Sequence, residues 1–313
     1  MKQKRAAKTA HLPLVLTPRE EEILRAVSVY RFMTVQDITH LFFARGSVTY
    51  ARQLLSRLCG GRDGQEREYL FRFPLPSPRR GSPENVYTLG SAGREFLESL
   101  GQTVAWDARP STTGRLSHSF LSHQLLLTRA VCAASYWCRV RHLFSLVNVR
   151  LSYELARHPL LSQSTNSSGE RGRSLAALPD AWLLLERVAD SVHFPLLLEV
   201  DRATEYQEQF RAHVKARLAF IRSGDYTEVF QTPAVLICYL TTGQSAGHRE
   251  TRVKTMAAWT QDVLTEMQME RWAGIFRFTS VVYDTLYEDA HTLFEKPVWY
   301  RPDSPTPVPL LGS

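Results

Sequence analysis

The chain has 313 residues, 44% of them hydrophobic and 22% charged, with a formal net charge of +7 and a pI near 9.3. Such proportions belong to an ordinary soluble protein long enough for about two domains. With no long uncharged apolar run and no signal peptide, they exclude a membrane-spanning chain, and the basic balance favours an anionic partner such as nucleic acid, while charge alone equally suits a membrane surface.

Cys59, Cys132, Cys138 and Cys238 form no CxxC pair, which argues against a zinc knuckle and fits reduced thiols in the cytoplasm. The basic opening Met1-Lys2-Gln3-Lys4-Arg5 reads as part of a flexible arm over 1–14 that can touch phosphate, or as a merely solvated tail. Thr17-Pro18-Arg19-Glu20 combines a helix cap, proline at the first helical position and a capping-box glutamate, so a helix starts there. Ile23, Leu24 and Val27 follow at helical spacing. A second cap at Thr34, with Asp37 three places on, opens a short helix through Ile38, Leu41 and Phe42. Ser47 begins a third helix, with Leu54, Leu55 and Leu58 for the core, Thr49, Tyr50, Arg52, Gln53 and Arg57 as its polar set, and Gly60-Gly61 as its stop. Two strands follow, Glu68 to Phe73 and Asn85 to Leu89, around a Pro/Arg/Ser-rich turn with Arg79 and Arg80 at its tip.

Three short helices and a β-ribbon resemble a winged helix-turn-helix domain, placed at 15–101 with a closing helix from Ser91 to Leu100. The resemblance implies that the helix from Ser47 enters the major groove of double-stranded DNA. Arg52, Gln53 and Arg57, with Thr49 and Tyr50 on the same helix, then face bases or phosphates, while Arg72, Arg79 and Arg80 of the ribbon approach phosphate or the minor groove. Protein docking by the same fold is the other reading.

A Pro/Ser/Thr/Gly-rich linker at 102–114 leads to a second domain at 115–300. An apolar helix spans Leu116 to Cys138. Its His118 and His123 are five apart, a poor spacing for one metal, and read as satisfied histidines. A strand over Phe144 to Tyr153 precedes a polar loop, 160–175, expected to be mobile. Strands Ala181 to Arg187 and Phe194 to Asp201 follow, with a turn at Asp190. Glu199 and Asp201 must share one face of their strand, Leu198 and Val200 the other. Carboxylates on so apolar a strand imply a metal or cationic partner. Thr204 to Arg222 reads as a helix, Ala234 to Leu240 as a buried strand, Arg249 to Met267 as a helix and Ile275 to Val282 as a last strand, before an apolar plug at Trp299 and a proline-rich tail at 301–313. The order predicts an α/β domain with a central mixed sheet flanked by helices.

That order, with Asp180 leading one strand and Glu199 on the next, resembles the restriction-endonuclease-like core of PD-(D/E)xK nucleases. The resemblance implies that Asp180 and Glu199 hold Mg²⁺. Where the nuclease pattern carries lysine two places after the second acid, this chain has Asp201; Lys215 on the following helix is the candidate relocated cation. Over most of its length the chain resembles the replication-relaxation family of plasmid and mobile-element proteins, through Leu16-Thr17-Pro18-Arg19, Leu54 to Leu58, Val86-Tyr87-Thr88-Leu89, Pro179-Asp180-Ala181 and above all Glu199-Val200-Asp201-Arg202-Ala203-Thr204-Glu205 with Lys215 after it.

Three readings follow. One is a DNA-binding protein whose nuclease-like domain serves binding, assembly or regulation. Another is a Mg²⁺-dependent endonuclease or nickase with Asp180, Glu199, Asp201 and Lys215 at its centre. In the third, Glu199, Asp201 and Arg202 form only a structural salt-bridge network. Duplex DNA is the expected partner, with a homodimer or other replication and mobilisation proteins beside it, and no membrane.

Overall fold

The computed structural model describes residues 15–44, 46–60, 68–75, 84–104, 116–158, 160, 178–203, 205–243 and 245–311. The basic arm, Arg79 and Arg80 at the ribbon tip, most of the linker and all but Leu160 of the loop 160–175 lie outside them. The chain divides into two compact units, residues 1–116 and 117–313.

In the first unit, helix α1 (Pro18–Tyr30) begins with the reciprocal bonds its sequence calls for. The Thr17 hydroxyl accepts from the Glu20 amide, and the Glu20 carboxylate accepts from the Thr17 amide at 2.8 Å. Strand β1 (Met33–Thr34) then leads into α2 (Val35–Phe42), where Thr34 and Asp37 repeat the same box. Helix α3 (Val48–Leu58) follows Ser47, which makes no side-chain capping bond. Ile23, Leu24, Ile38, Leu55 and Leu58 are fully buried, each stabilising the unit by roughly 1.5–3 kcal/mol relative to exposure.

Strands β2 (Leu70–Pro74) and β3 (Asn85–Leu89) pair antiparallel with Leu70 opposite Leu89 and Pro74 opposite Asn85. The two-residue β1 adds to β3, giving the order β1-β3-β2. Two residues are too few to show a period, so that strand has no signature in the sequence. Helix α4 (Ser91–Ser99) packs tightly on the ribbon: a Cβ on Gly93 would run into the Tyr69 carbonyl.

The second unit is a mixed α/β layer structure. Its long helix α5 (His118–Arg141) is capped by Ser117 and leads into β4 (Phe144–Leu151) and the single turn α6 (Ser152–Leu155). Hairpin β5 (Ala181–Arg187) and β6 (Val192–Asp201) comes next, then α7 (Gln207–Arg222), α8 (Asp225–Phe230), β7 (Leu236–Thr241), α9 (Ala246–Glu266) and β8 (Phe276–Ser280). A short helix α10 (Ala290–Glu295) precedes β9 (Trp299–Arg301) and β10 (Ser304–Val308). Among the described residues the sheet has seven strands in the order β10-β9-β8-β7-β6-β5-β4. β6, β7 and β8 run parallel, and the remaining pairings are antiparallel.

Alternation along the strands sends side chains to two helical layers. On one face Phe144 stacks on Trp137 of α5 and meets Phe194 edge to face. On the other, Trp182, Leu197, Ile237 and Tyr239 join Phe210, Val214 and Leu218 of α7 and Val253 and Met256 of α9 in one buried cluster.

Details of the second unit depart from the sequence reading, though the plug at Trp299 does not. Helix α7 starts at Gln207, not Thr204, because Tyr206 keeps an extended backbone, φ −80° and ψ 159°, and stands as its N-cap. The strand β8 is not the last. The proline-rich stretch from 301 carries the edge strand β10, where Pro305 and Pro307 are tolerated because only one side of an edge strand is paired. Trp299 is buried and donates its indole N–H to the Leu293 carbonyl at 2.7 Å.

Candidate functional site

In the first unit, α3 turns Ala51, Leu54, Leu55 and Leu58 inward and leaves Thr49, Tyr50, Arg52, Gln53 and Arg57 exposed. Arg57 has a partner within the unit. Its guanidinium grips the Glu20 carboxylate at the start of α1, with Nε to Oε1 at 2.9 Å, so it ties α3 to α1. Burial alone would raise the Glu20 carboxyl, but Arg57 and Thr17 hold it below its usual value. Arg52 of α3 and Arg72 of β2 are exposed and both act on the buried Tyr87 phenol, whose value burial raises and their charges pull back. Helix α3 and the ribbon therefore present cations around one point.

The second unit gathers its polar groups at the carboxyl end of β6, which antiparallel pairing sets beside the start of β5. The pairing of Ala181 with Leu198 puts Asp180 alongside Glu199, and Asp180 Oδ2 accepts from the Val200 amide at 2.8 Å. Both acids line a cleft of about 420 Å³ together with Asp201, His123, Arg217 and Tyr239. The crevice beyond the carboxyl ends of parallel strands is where open α/β sheets receive ligands.

Each carboxylate has its own counter-group. Glu199 Oε1 accepts from Arg217 of α7, 2.7 Å from Nε and in contact with Nη2, and both side chains are buried. Asp201 accepts from Nε and Nη2 of Arg252 of α9, each at 2.9 Å, and from the Thr241 hydroxyl at 2.7 Å. Asp180 Oδ2 lies 3.2 Å from His123 Nε2, and Glu205 2.9 Å from His213. Burial pushes the Glu199 carboxyl up to about 7, with Arg217 pulling it down and Asp180 adding to the push. The Arg217 guanidinium, which burial would weaken, is held charged by Glu199. Burial alone would lower His123, but Asp180 and Glu199 raise it above its ordinary value. The buried Tyr239 hydroxyl on the wall of the cleft makes no hydrogen bond.

Lys215 does not reach this site. It is exposed on α7 and bonds Glu266 of α9 at 2.6 Å, beside a second bridge from Arg211. The inward stripe of α7 runs Phe210, Val214, Leu218, and position 217 falls on it whereas 215 does not. An arginine in an apolar stripe was the signal in the sequence that would have found the partner of Glu199. Arg202, expected to join a network with Glu199 and Asp201, bonds Ser119 instead, at 2.8 Å to its carbonyl.

A Mg²⁺ ion held by Asp180 and Glu199 does not fit this arrangement. Arg217 already supplies the positive charge at Glu199, and His123 engages the Asp180 oxygen. Among the described residues no group of three or more His, Cys, Asp or Glu is disposed to hold a metal ion. No described helix is long and apolar enough to cross a membrane.

The model of the replication-relaxation family matches residues 24–232, from α1 through α8 and beyond, including the Glu199 to Glu205 segment. No curated protein and no solved structure matches the chain.

Proposed function

Because the chain belongs to the replication-relaxation family, we propose that it binds duplex DNA through its first unit, as a winged helix-turn-helix, and uses its nuclease-like second unit for binding or assembly. The family ties the chain to plasmid or mobile-element replication. One observation carries the DNA-binding reading. Residues 1–116 contain 18 Lys and Arg against 11 Asp and Glu, whereas residues 117–313 contain 20 of each, so the first unit holds the whole net charge of +7.

Charge so placed attracts a polyanion to the first unit. The exposed face of α3 with Thr49, Tyr50, Arg52 and Gln53 is a helix of a length that enters a major groove, and Arg72 extends the same cationic surface onto the ribbon. Binding of a labelled duplex, titrated with salt, tests this. Arg52→Ala is expected to lower affinity and reduce the steepness of the salt dependence by about one phosphate contact. Unchanged affinity and slope in the Arg52→Ala/Arg72→Ala double variant overturns the assignment of this face.

The other reading, a Mg²⁺-dependent endonuclease, has in its favour that Asp180 and Glu199 line the same cleft, and against it that Arg217 already occupies Glu199. Incubating supercoiled plasmid with the full chain and Mg²⁺ or Mn²⁺, beside an Asp180→Ala control, separates the two. Nicking lost in the control establishes the enzyme; intact plasmid in both keeps the binding role.

A further inference from the structure

The carboxylates of the cleft lie where a pair of acids from adjacent strands commonly holds a divalent cation, yet a cation is already covalently part of the fold. Arg217 reaches Glu199 from α7 with two nitrogens and is itself only 4% exposed. Its place on α7 is fixed by the apolar neighbours Val214 and Leu218, both fully buried. Next to it, the buried Tyr239 hydroxyl has no partner.

We propose that Arg217 is a built-in counter-cation that takes the place of a divalent metal, so that the site shared by Asp180 and Glu199 excludes metal ions and operates without them. A bound dication would sit within a few ångströms of the guanidinium, and like charges at that range repel strongly in a poorly hydrated site. The fixed cation also neutralises Glu199, which removes the attraction that would draw a metal in. The inference deepens the reading of the second unit as a binding or assembly module and rests on it.

The test is Mn²⁺ binding by the full chain, read by electron paramagnetic resonance of the free ion and by calorimetry. The wild type is expected to take up no Mn²⁺ at this site, whereas Arg217→Met gains a site whose affinity exceeds the wild type's on the order of a hundredfold. The Arg217→Met/Glu199→Gln double variant, which removes both charges, loses that gain. Should Arg217→Met fold only when Mn²⁺ is present, the metal has replaced the missing cation and the proposal holds. Should it fail to fold under either condition, the wild-type titration decides alone: stoichiometric Mn²⁺ uptake abolished by Glu199→Gln overturns the proposal, and its absence sustains it. An Arg217→Met variant that folds and takes up no Mn²⁺ also overturns it. Duplex affinity is measured on the same samples, so a failure of this inference is distinguishable from a failure of the DNA-binding reading, which depends on the first unit.

Discussion

The two units treat arginine in opposite ways. In the first, basic residues outnumber acidic ones, and Arg52 and Arg72 stand exposed. In the second the two signs cancel, and Arg217 and Arg252 are buried against Glu199 and Asp201. An exposed arginine keeps its charge available to a partner, and a buried one spends it inside the fold. Net charge alone does not tell these apart; the placement of each guanidinium does.

The largest expected effect breaks the second unit's internal pairing. Arg252→Met leaves Asp201 buried without its counter-ion and is expected to cost about 3–5 kcal/mol in denaturant unfolding. Duplex affinity of the folded fraction should not change, because the charge lost was never displayed. A smaller loss is expected at Arg57, the one basic residue of α3 used internally. Arg57→Ala strands the fully buried Glu20 and should destabilise the first unit by about 1–3 kcal/mol. If instead it lowers DNA affinity at unchanged stability, Arg57 belongs with Arg52 and the distinction drawn on α3 is lost. Thr34→Ala removes the capping bond to the Asp37 amide and should cost about 1 kcal/mol, read in the same unfolding experiment.

The mildest test uses pH. The Glu20 carboxyl is held below 4.5 in the folded unit, so the unfolded chain takes up its proton first. Its stabilisation is present in full above 4.5 and is lost as pH falls through the depressed folded value. The acid limb of the first unit's stability should therefore flatten in Glu20→Gln, measured by unfolding at a series of pH values. An identical limb in the variant would assign acid lability to other carboxylates.

Much of the fold was legible because its signals are local. The capping boxes at Thr17 and Thr34 name their own partners three residues away, and the apolar runs of β5, β6 and β7 show where the sheet is buried. Elements without a local signature escaped. β1 is too short for a period, α8 is too short for a stripe, and β10 hides behind its prolines. In the cleft, the side-chain period along β6 put Glu199 and Asp201 on the face that α7 and α9 cover. Their partners were another matter. Lys215 attracted notice because the nuclease pattern asks for lysine, while the cation that meets Glu199 lies two positions later.

By itself the sequence determined the starts of α1 and α2, the strand faces and the sum of the charges, since each depends on residues within a few positions of one another or on none. Tertiary structure alone decided which charge meets which. Arg217 is 18 residues from Glu199 and Arg252 is 51 from Asp201, and those separations close only when α7 and α9 cross over to lay their inward faces on the sheet. Ion pairing is set by distance in space, and distance in space is fixed by the packing of whole elements.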